Sequence, residues 1–528
     1  KEDPWHANFE LPEWLVKLVR EGHLGQKTGQ GIYRKQGKTI EVYDLQTGNY
    51  RPAEGKVSDE LKAIMSQKDS AERMKALMQS QNKQAQFLAA CFRDVFHYCA
   101  YHLEGIADNV RDIDLAIRWG FGWAQGPFET WQQADIAAVN HFIDEAIKQK
   151  SSLSSAPLPQ WLNSINAFYT EEGAYSPADG VYRPRSKLAV YKRQFFPDRV
   201  LKEQSFSWNK LYENDGVQLN MLQDEIAVLS FKSKANTLGQ AVLDGLNEAL
   251  NVAEQQCQGM IIYQHDAQNF SAGADLRGVA QLVKEGKTQA LDEMIAQFQQ
   301  TAMRLKYSTI PTVAALRGRA LGGGCELMLH CTSVVAAFES YPGLVEVGVG
   351  LLPAGGGCKE MALRAAAQMP QGDLMLILQQ YFQQIAMGQV ASSATEAKQM
   401  GYLRQADAII MHTQEVLYAA LARVKTLNAE NHLPPLKKVF RIAGIEGQAR
   451  LQAGLVNWLE GGFISQHDYF LATEIAKVLC GGEVNQGTLV DEAWMLKLER
   501  EAFVTLANTG LTQARIQHIL ETGKPLRN

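Results

Sequence analysis

Between residues 225 and 337 short apolar runs alternate with longer amphipathic stretches, and this alternation restricts the fold more than any other feature. Glu225–Phe231, Gly259–Tyr263, Thr312–Leu316 and Ser333–Ala337 read as short buried strands. Val242, Leu243, Leu246, Ala249, Leu250 and Ala253 recur at helical spacing between the first two. Ile295, Phe298, Ala302 and Leu305 mark a further helix that ends before Pro311. Strands and helices alternating through short connections predict an α/β domain with largely parallel strands. After about Gly401 the strands are expected to stop. Gly447–Leu459, Ser465–Leu479, Leu489–Ala507 and Thr512–Glu521 then read as helices, an all-α tail.

The first third has a different texture, with a degenerate internal repeat. Leu11-Pro12-Glu13-Trp14-Leu15 recurs as Leu158-Pro159-Gln160-Trp161-Leu162. A hairpin-like ending, Tyr43-Asp44 to Arg51-Pro52, recurs as Tyr175 to Arg183-Pro184. Between them, residues 84–131 read as mostly helical. Phe87, Leu88, Cys91, Val95, Tyr98 and Cys99 hold one apolar face, and a second helix opens at Asp112 and stops at Gly120, with a sharp turn at Gly126-Pro127. Residues 183–202 carry seven basic residues against one acid, Asp198, interleaved with Tyr191, Phe195 and Phe196. Such composition suits single-stranded nucleic acid or a phosphorylated ligand. It equally suits a linker whose basic stems lie over the next domain, the reading preferred here.

Composition removes several function classes. With 52 basic and 57 acidic residues the net charge is −5, too mild for a nucleic-acid binder. The seven cysteines form no CxxC pair, and an odd count argues against a secreted disulfide framework. No run of 18 apolar residues offers a membrane span. The chain begins Lys1-Glu2-Asp3-Pro4-Trp5, without Met or an apolar signal region. The expectation is an intracellular, cytoplasmic, multidomain protein whose first residue reads as a cut. The eleven histidines are scattered, and His330 beside Cys331 reads as core packing, so no metal site is expected. Gly120 to Gly126 imitates a dinucleotide fingerprint, but a helix precedes it, its spacing is one residue too long and Pro127 follows. No nucleophile elbow, P-loop or HExxH motif occurs.

Two glycine-rich segments follow strand ends. Asn269-Phe270-Ser271-Ala272-Gly273-Ala274-Asp275-Leu276 comes after the strand ending near Tyr263. Ala320-Leu321-Gly322-Gly323-Gly324-Cys325-Glu326 comes after the one ending near Leu316 and opens an apolar helix. Either alone reads as a tight turn. Together they offer bare backbone that a ligand can approach closely. The second adds helix N-terminal N–H groups, and two such donors converging on one oxygen make an oxyanion hole. Glu326 is the first acid after the second segment. Glu346 lies in the apolar run Gly343 to Gly350, where a lone carboxylate is costly to bury without a partner or a task. Two glutamates beside an oxyanion hole can divide acid and base work on one water.

These segments resemble the crotonase (enoyl-CoA hydratase/isomerase) superfamily over roughly Gly216 to Lys425. The resemblance implies that the backbone N–H groups of Ala274 and Gly323 hold a thioester oxygen, and that Glu326 and Glu346 are the catalytic carboxylates. Leu351-Leu352-Pro353-Ala354-Gly355-Gly356-Gly357 is similar to the family's proline-glycine loop and places Glu346 by counting back. Ala272, Asp275, Leu276 and Gly322, with Ala274, match positions that bind coenzyme A. Two positions depart from the pattern. Thr332 stands where an acid usually closes the glycine-rich helix, putting a salt bridge in doubt, and Val345 replaces the usual proline before the second glutamate.

The first third resembles the helical C-terminal domains of 3-hydroxyacyl-CoA dehydrogenases, through Gly25-Gln26-Lys27-Thr28-Gly29-Gln30-Gly31-Ile32-Tyr33 and through Asp112 to Glu129. The whole chain is thus similar to the C-terminal two-thirds of a bacterial bifunctional dehydrogenase–hydratase of fatty-acid β-oxidation. The implied organisation is an all-α dehydrogenase-type domain over 1–192 (end of a first repeat, 1–60; second repeat, 84–184) and a linker over 193–216. A crotonase-type α/β spiral over 217–425 and a helical region over 426–528 follow. The implied activity is hydration of trans-2-enoyl-CoA to 3-hydroxyacyl-CoA, with an isomerase or an idle CoA-binding module as alternatives. It implies acyl-CoA as substrate, no cofactor in this chain, NAD only in a parent with the nucleotide-binding domain, and a second copy or a thiolase as protein partner.

Overall fold

The computed structural model describes residues 2–37, 39–67, 69–193, 209–222, 225–265 and 267–528, which fall into two compact units, up to Leu188 and from Ala189 on.

The second unit is built on a seven-stranded sheet. Its strands are β1 (Asn209–Glu213), β2 (Val217–Met221), β3 (Ile226–Phe231), β4 (Gly259–Ile262), β5 (Thr312–Leu321), β6 (Ser333–Gly343) and β7 (Ala408–Ile410), lying side by side in sequence order. β1, β2 and β3 pair antiparallel through hairpins, and β3 to β7 pair parallel. Every residue of β3 and β4 is buried, which explains their unbroken apolar sequence: a parallel strand is covered on both faces. Ala227, Leu229 and Phe231 face one apolar cluster and Ile226 and Val228 the other, as the two-residue period of a strand requires. Helix α1 (Gln240–Gln256), α2 (Leu276–Lys284), α3 (Thr288–Lys306) and α4 (Gly323–His330) connect the strands. The second face is closed by Val416, Leu417, Leu421 and Val424, which lie on the helix Val416–Ala429.

Several expectations need correction. β5 and β6 run on to Leu321 and Gly343, past the expected ends at Leu316 and Ala337. The register shifts between Leu316 and Gly318, where Gly318 has φ +59° and a β-carbon would lie 2.2 Å from Gln268 O. This bulge and two arginines hide the continuation from an apolar pattern. The tail is not all-α. Ala408–Ile410 edges the main sheet, and Phe440–Arg441 pairs with Leu489–Val490. Strands of two or three residues leave no periodicity to read. Asn209–Glu213, inside the expected linker, is the edge strand β1. The boundary at 425/426 does not separate two cores either, because Leu471, Ile475, Met495 and Phe503 of the tail share one apolar cluster with Leu327 and Met361. The tail helices themselves follow the expected positions: Gly444–Glu460, Gln466–Leu479, Glu492–Ala507 and Gly510–Thr522.

The first unit is mixed rather than all-α. Its helices Lys83–Ile106, Val110–Phe121, Pro127–Ala134 and Ile136–Lys148 pack around Phe96, Leu103, Trp131 and Ile143. Two three-stranded antiparallel sheets accompany them, Tyr33–Gln36 with Thr39–Tyr43 and Tyr50–Pro52, and Tyr169–Thr170 with Gly173–Ser176 and Val181–Arg183. Each contains one copy of the repeated hairpin. In the fingerprint lookalike, Gly122 ends a helix with φ +70° and Pro127 opens the next. A β-carbon on Gly126 would lie 2.3 Å from Asp114 Cβ, so this glycine serves close packing. The basic stretch 183–202 falls partly outside the described residues; Arg193 lies 5.3 Å from the ring centroid of Tyr418.

Candidate active site

The two glycine segments are bound to each other by their backbones. Ser271 and Ala320 form a parallel bridge, with Ser271 N donating to Arg319 O at 3.1 Å and Leu321 N to Ser271 O at 3.0 Å. Ser271 Oγ donates to Asn236 O at 2.7 Å and accepts from Gly273 N at 3.1 Å. A β-carbon on Gly273 would come within 2.9 Å of Leu321 O and 3.7 Å of Gly323 N, so only glycine permits this approach. Leu238 pairs beside Ala274, taking Gly273 O and Asp275 N at 2.9 and 3.0 Å, which turns the amide of Ala274 away from that partner. Gly323 is the first residue of α4, where backbone N–H groups have no partner within the helix.

Three of the expected coenzyme-binding positions, Ala272, Asp275 and Leu276, lie on the loop that carries Ala274, and the fourth, Gly322, precedes α4. Ala272 N donates to Ala235 O at 3.1 Å. Asp275 caps α2 by accepting from Arg277 N and binds the Arg277 guanidinium at 2.9 Å, which with the cap holds its carboxyl below the usual range. Leu276 opens α2 and packs partly buried against the core.

The carboxylates differ in environment. Glu326, in the first turn of α4, is buried, and its Oε1 accepts from Gly355 N at 2.7 Å and Gly357 N at 2.8 Å. Burial pushes its carboxyl up to about 7, with the two amides and Lys359 acting in the opposite direction. Glu346 opens the short turn Glu346–Val349, and both its carboxylate oxygens are buried with no hydrogen-bond partner among the described residues. Its Oε1 lies 3.1 Å from the position of a β-carbon on Gly322. Burial, then the charge of Glu326, hold the Glu346 carboxyl well above its ordinary range. Gly322, Gly323, Glu326 and Glu346 thus occupy one corner of the fold beside the Ala272–Leu276 loop.

The two departures have local consequences. Thr332 Oγ1 accepts from Thr312 N at 3.2 Å and Thr312 Oγ1 from Thr332 N at 3.1 Å, a neutral exchange at the salt bridge's position. Val345 has φ −115°, which a proline ring does not reach, so the backbone before Glu346 takes a pose of its own.

Residues 222–453 match the family model described as enoyl-CoA hydratase/isomerase. These residues form an enoyl-CoA hydratase/isomerase domain. The chain is similar to a probable 3-hydroxyacyl-CoA dehydrogenase of Bacillus subtilis, 34% identical over 98% of this chain and 64% of that protein. It is also similar to a putative fatty acid oxidation complex trifunctional enzyme of Rickettsia felis, 25% identical over 98% of this chain and 64% of that one. The chain therefore spans about two-thirds or slightly less, 64%, of the length of these curated relatives. It resembles the crystal structure of enoyl-CoA hydratase from Bacillus halodurans with 17% identity and a TM-score of 0.39, over 57% of this chain and 99% of that one.

Three parts of the hydratase/isomerase domain and its tail escaped the sequence reading. The Pro353–Gly357 loop served only as a marker, yet its amides grip Glu326. Phe298, read as a core residue of a helix, presses its ring on the glycines. A β-carbon on Gly323 would lie 3.1 Å from Phe298 Cζ, and one on Gly355 1.9 Å from Phe298 Cε1. Glu499, on the tail helix Glu492–Ala507, is fully buried, with its carboxylate on the amides of Gly356 and Lys359. Nothing in Leu498-Glu499-Arg500-Glu501 distinguishes it from an exposed helical acid. His330 is buried as expected, but it joins a polar cluster: Nδ1 meets Glu326 O at 2.7 Å and Nε2 meets Lys359 Nζ at 2.8 Å. Among the described residues no group of three His, Cys, Asp or Glu side chains is placed to hold a metal ion.

Proposed function

We propose that the hydratase/isomerase domain adds water to trans-2-enoyl-CoA thioesters, giving 3-hydroxyacyl-CoA, as a step of fatty-acid β-oxidation. The observation that carries this reading is the pair of glutamates with buried carboxylates beside the Ala274 and Gly323 amides: Glu326 tethered by backbone donors, Glu346 with both oxygens unpartnered among the described residues. In this reading the Ala274 and Gly323 amides receive the thioester oxygen and stabilise the enolate as negative charge develops there. Glu326, poised near neutrality, takes the proton of the attacking water as its oxygen bonds to C3. Glu346, whose carboxyl burial and the charge of Glu326 hold well above its ordinary range, delivers a proton to C2. Ala272, Asp275, Leu276 and Gly322 lie along the coenzyme A moiety. The names of the curated relatives, a probable 3-hydroxyacyl-CoA dehydrogenase and a putative fatty acid oxidation complex trifunctional enzyme, support oxidation of the alcohol formed as a companion activity of the same protein.

The test is direct: adding the chain to crotonyl-CoA should remove the absorbance of the conjugated enoyl thioester. No change in absorbance, with the protein folded, would overturn the reading. Conversion of a 3-enoyl-CoA without hydration would favour the isomerase instead.

A further inference from the structure

Two carboxylates from distant parts of the chain share the N-terminus of one helix, Gly357–Gln368 (α5). The amides at its start are divided between them in alternation. Gly355 N and Gly357 N donate to Glu326, whereas Gly356 N donates to Glu499 Oε2 at 2.9 Å and Lys359 N to Glu499 Oε1 at 2.6 Å. Gln299 closes the clasp: its Nε2 donates to Ala354 O at 2.8 Å and Leu496 O at 2.9 Å, and its Oε1 accepts from Arg500 Nη1 at 2.9 Å. The loop that aims Glu326 is therefore held from behind by the tail helix. A shift of Glu499 moves Gly356, and with it the amides on either side.

We propose that Glu499 is a positioning residue for the hydration reaction: by holding the Gly356 and Lys359 amides it fixes the loop whose Gly355 and Gly357 amides orient Glu326, a role that rests on the hydratase reading. Other groups face this carboxylate. Glu326 and Glu346 are like charges, Lys359 on α5 is the opposite charge, Cys358 is a buried thiol, and Arg500 reaches it through Gln299. Burial, followed by the charge of Glu326, pushes the Glu499 carboxyl up to about 8. Near pH 7 Glu499 is therefore largely protonated, and its influence on Glu326 runs through the shared loop amides rather than through charge: where Gly355 and Gly357 lose their hold, Glu326 gives up its proton less readily.

Glu499→Gln keeps the shape but sets a side-chain N–H against a backbone N–H. In the full chain kcat for crotonyl-CoA should fall about tenfold to a hundredfold, the scale of a small misplacement of a catalytic group. KM should stay within about twofold, since no contact with substrate is lost. The pH limb assigned to Glu326 should move to higher pH, because the Gly355 and Gly357 amides that stabilise its carboxylate lose their aim. Glu499→Asp keeps a carboxyl but retracts it by one methylene from the Gly356 and Lys359 amides, so it should move the limb in the same direction and also lose turnover. Titration of the Glu326 carboxyl by 13C NMR, identified by its absence in Glu326→Gln, reads the same shift without turnover. If the unaltered chain hydrates nothing, the hydratase reading falls alone and this titration still decides the coupling. A Glu326 titration that is unmoved or moves to lower pH in Glu499→Gln, or unaltered turnover in Glu499→Asp, overturns the proposal. A merely structural role would lower the folded fraction and leave the limb where it is.

Discussion

Ser271 and Gly324 stand so close that a β-carbon on the glycine would lie 2.5 Å from Ser271 Cβ. This contact seats helix α4 against the first glycine segment and brings the Gly323 amide beside the loop that carries Ala274. Gly324→Ala should therefore push the two segments apart, at about 1–3 kcal/mol, as overpacking of a filled site does. Hydration should fall by more than the loss of folded protein explains. Parallel measurement of denaturant midpoint and of turnover per folded molecule checks this. Unaltered turnover would mean that the spacing of the two segments does not matter.

Glu326→Gln and Glu346→Gln should each lower hydration by about 10²–10⁴, the usual worth of a general acid or base. Each change is nearly isosteric, so circular dichroism should be unaltered. Wild-type-like rates in either variant would remove that residue from the mechanism. Loss with only one of the two would point to proton shuttling by a single carboxylate, the isomerase pattern.

A bulky group on the proposed oxyanion amide should be equally damaging. The β-carbon of Gly323→Val would meet Phe298 Cζ at 3.1 Å and Leu238 Cδ1 at 3.3 Å, and its methyls would crowd the space before the amide. Loss of one oxyanion donor typically costs about 10²–10³ in rate. Steady-state kinetics with crotonyl-CoA measures it, and a variant retaining a tenth or more of the activity would place the thioester oxygen elsewhere.

Stability should fall as pH rises across neutrality. Burial holds Glu326 up to about 7 and Glu499 up to about 8, above the 4.5 of a free glutamate, so the folded chain keeps protons that the unfolded chain has released. Their contribution is present in full below the unfolded value and is lost as pH climbs through the folded values. Glu360 works in the opposite direction. Lys359, Lys306, His330 and Arg364 hold it well below 4.5 against the pull of burial, so its contribution is lost in acid. Melting temperature should decline between about pH 5 and 8, and the decline should be shallower in Glu326→Gln. Equal slopes in both proteins would contradict it.

The chain by itself should bind no NAD with micromolar affinity. Its one fingerprint lookalike lies between two helices, with Gly122 as a helix end and Gly126 packed on Asp114, whereas a pyrophosphate site needs a strand, a glycine turn and a helix N-terminus. Isothermal titration decides the matter. A saturable isotherm, or NAD reduction on adding 3-hydroxyacyl-CoA, would show a nucleotide site that the sequence does not reveal.

Much of the α/β core was legible because burial on both faces forces β3 and β4 to be continuously apolar, and because Leu246, Leu250, Ala302 and Leu305 repeat at helical spacing. The glycine segments were legible too, since close backbone approach at Gly273 excludes larger residues, and the second of them carried Glu326 with it, whereas Glu346 was placed by counting back from the Leu351–Gly357 loop. Elements of two or three residues, such as Phe440–Arg441 and Leu489–Val490, were not, because pairing between distant segments rather than local pattern creates them. Nor was the continuation of β5 past the Gly318 bulge. Sequence alone thus determined which residue types stand at the candidate site. Only the tertiary structure decided their protonation and their supports: burial raises the Glu326 and Glu346 carboxyls, and the amides that grip Glu326 are themselves braced by Glu499 from the far end of the chain. Desolvation depends on everything packed around a group, and no run of neighbouring letters contains that information.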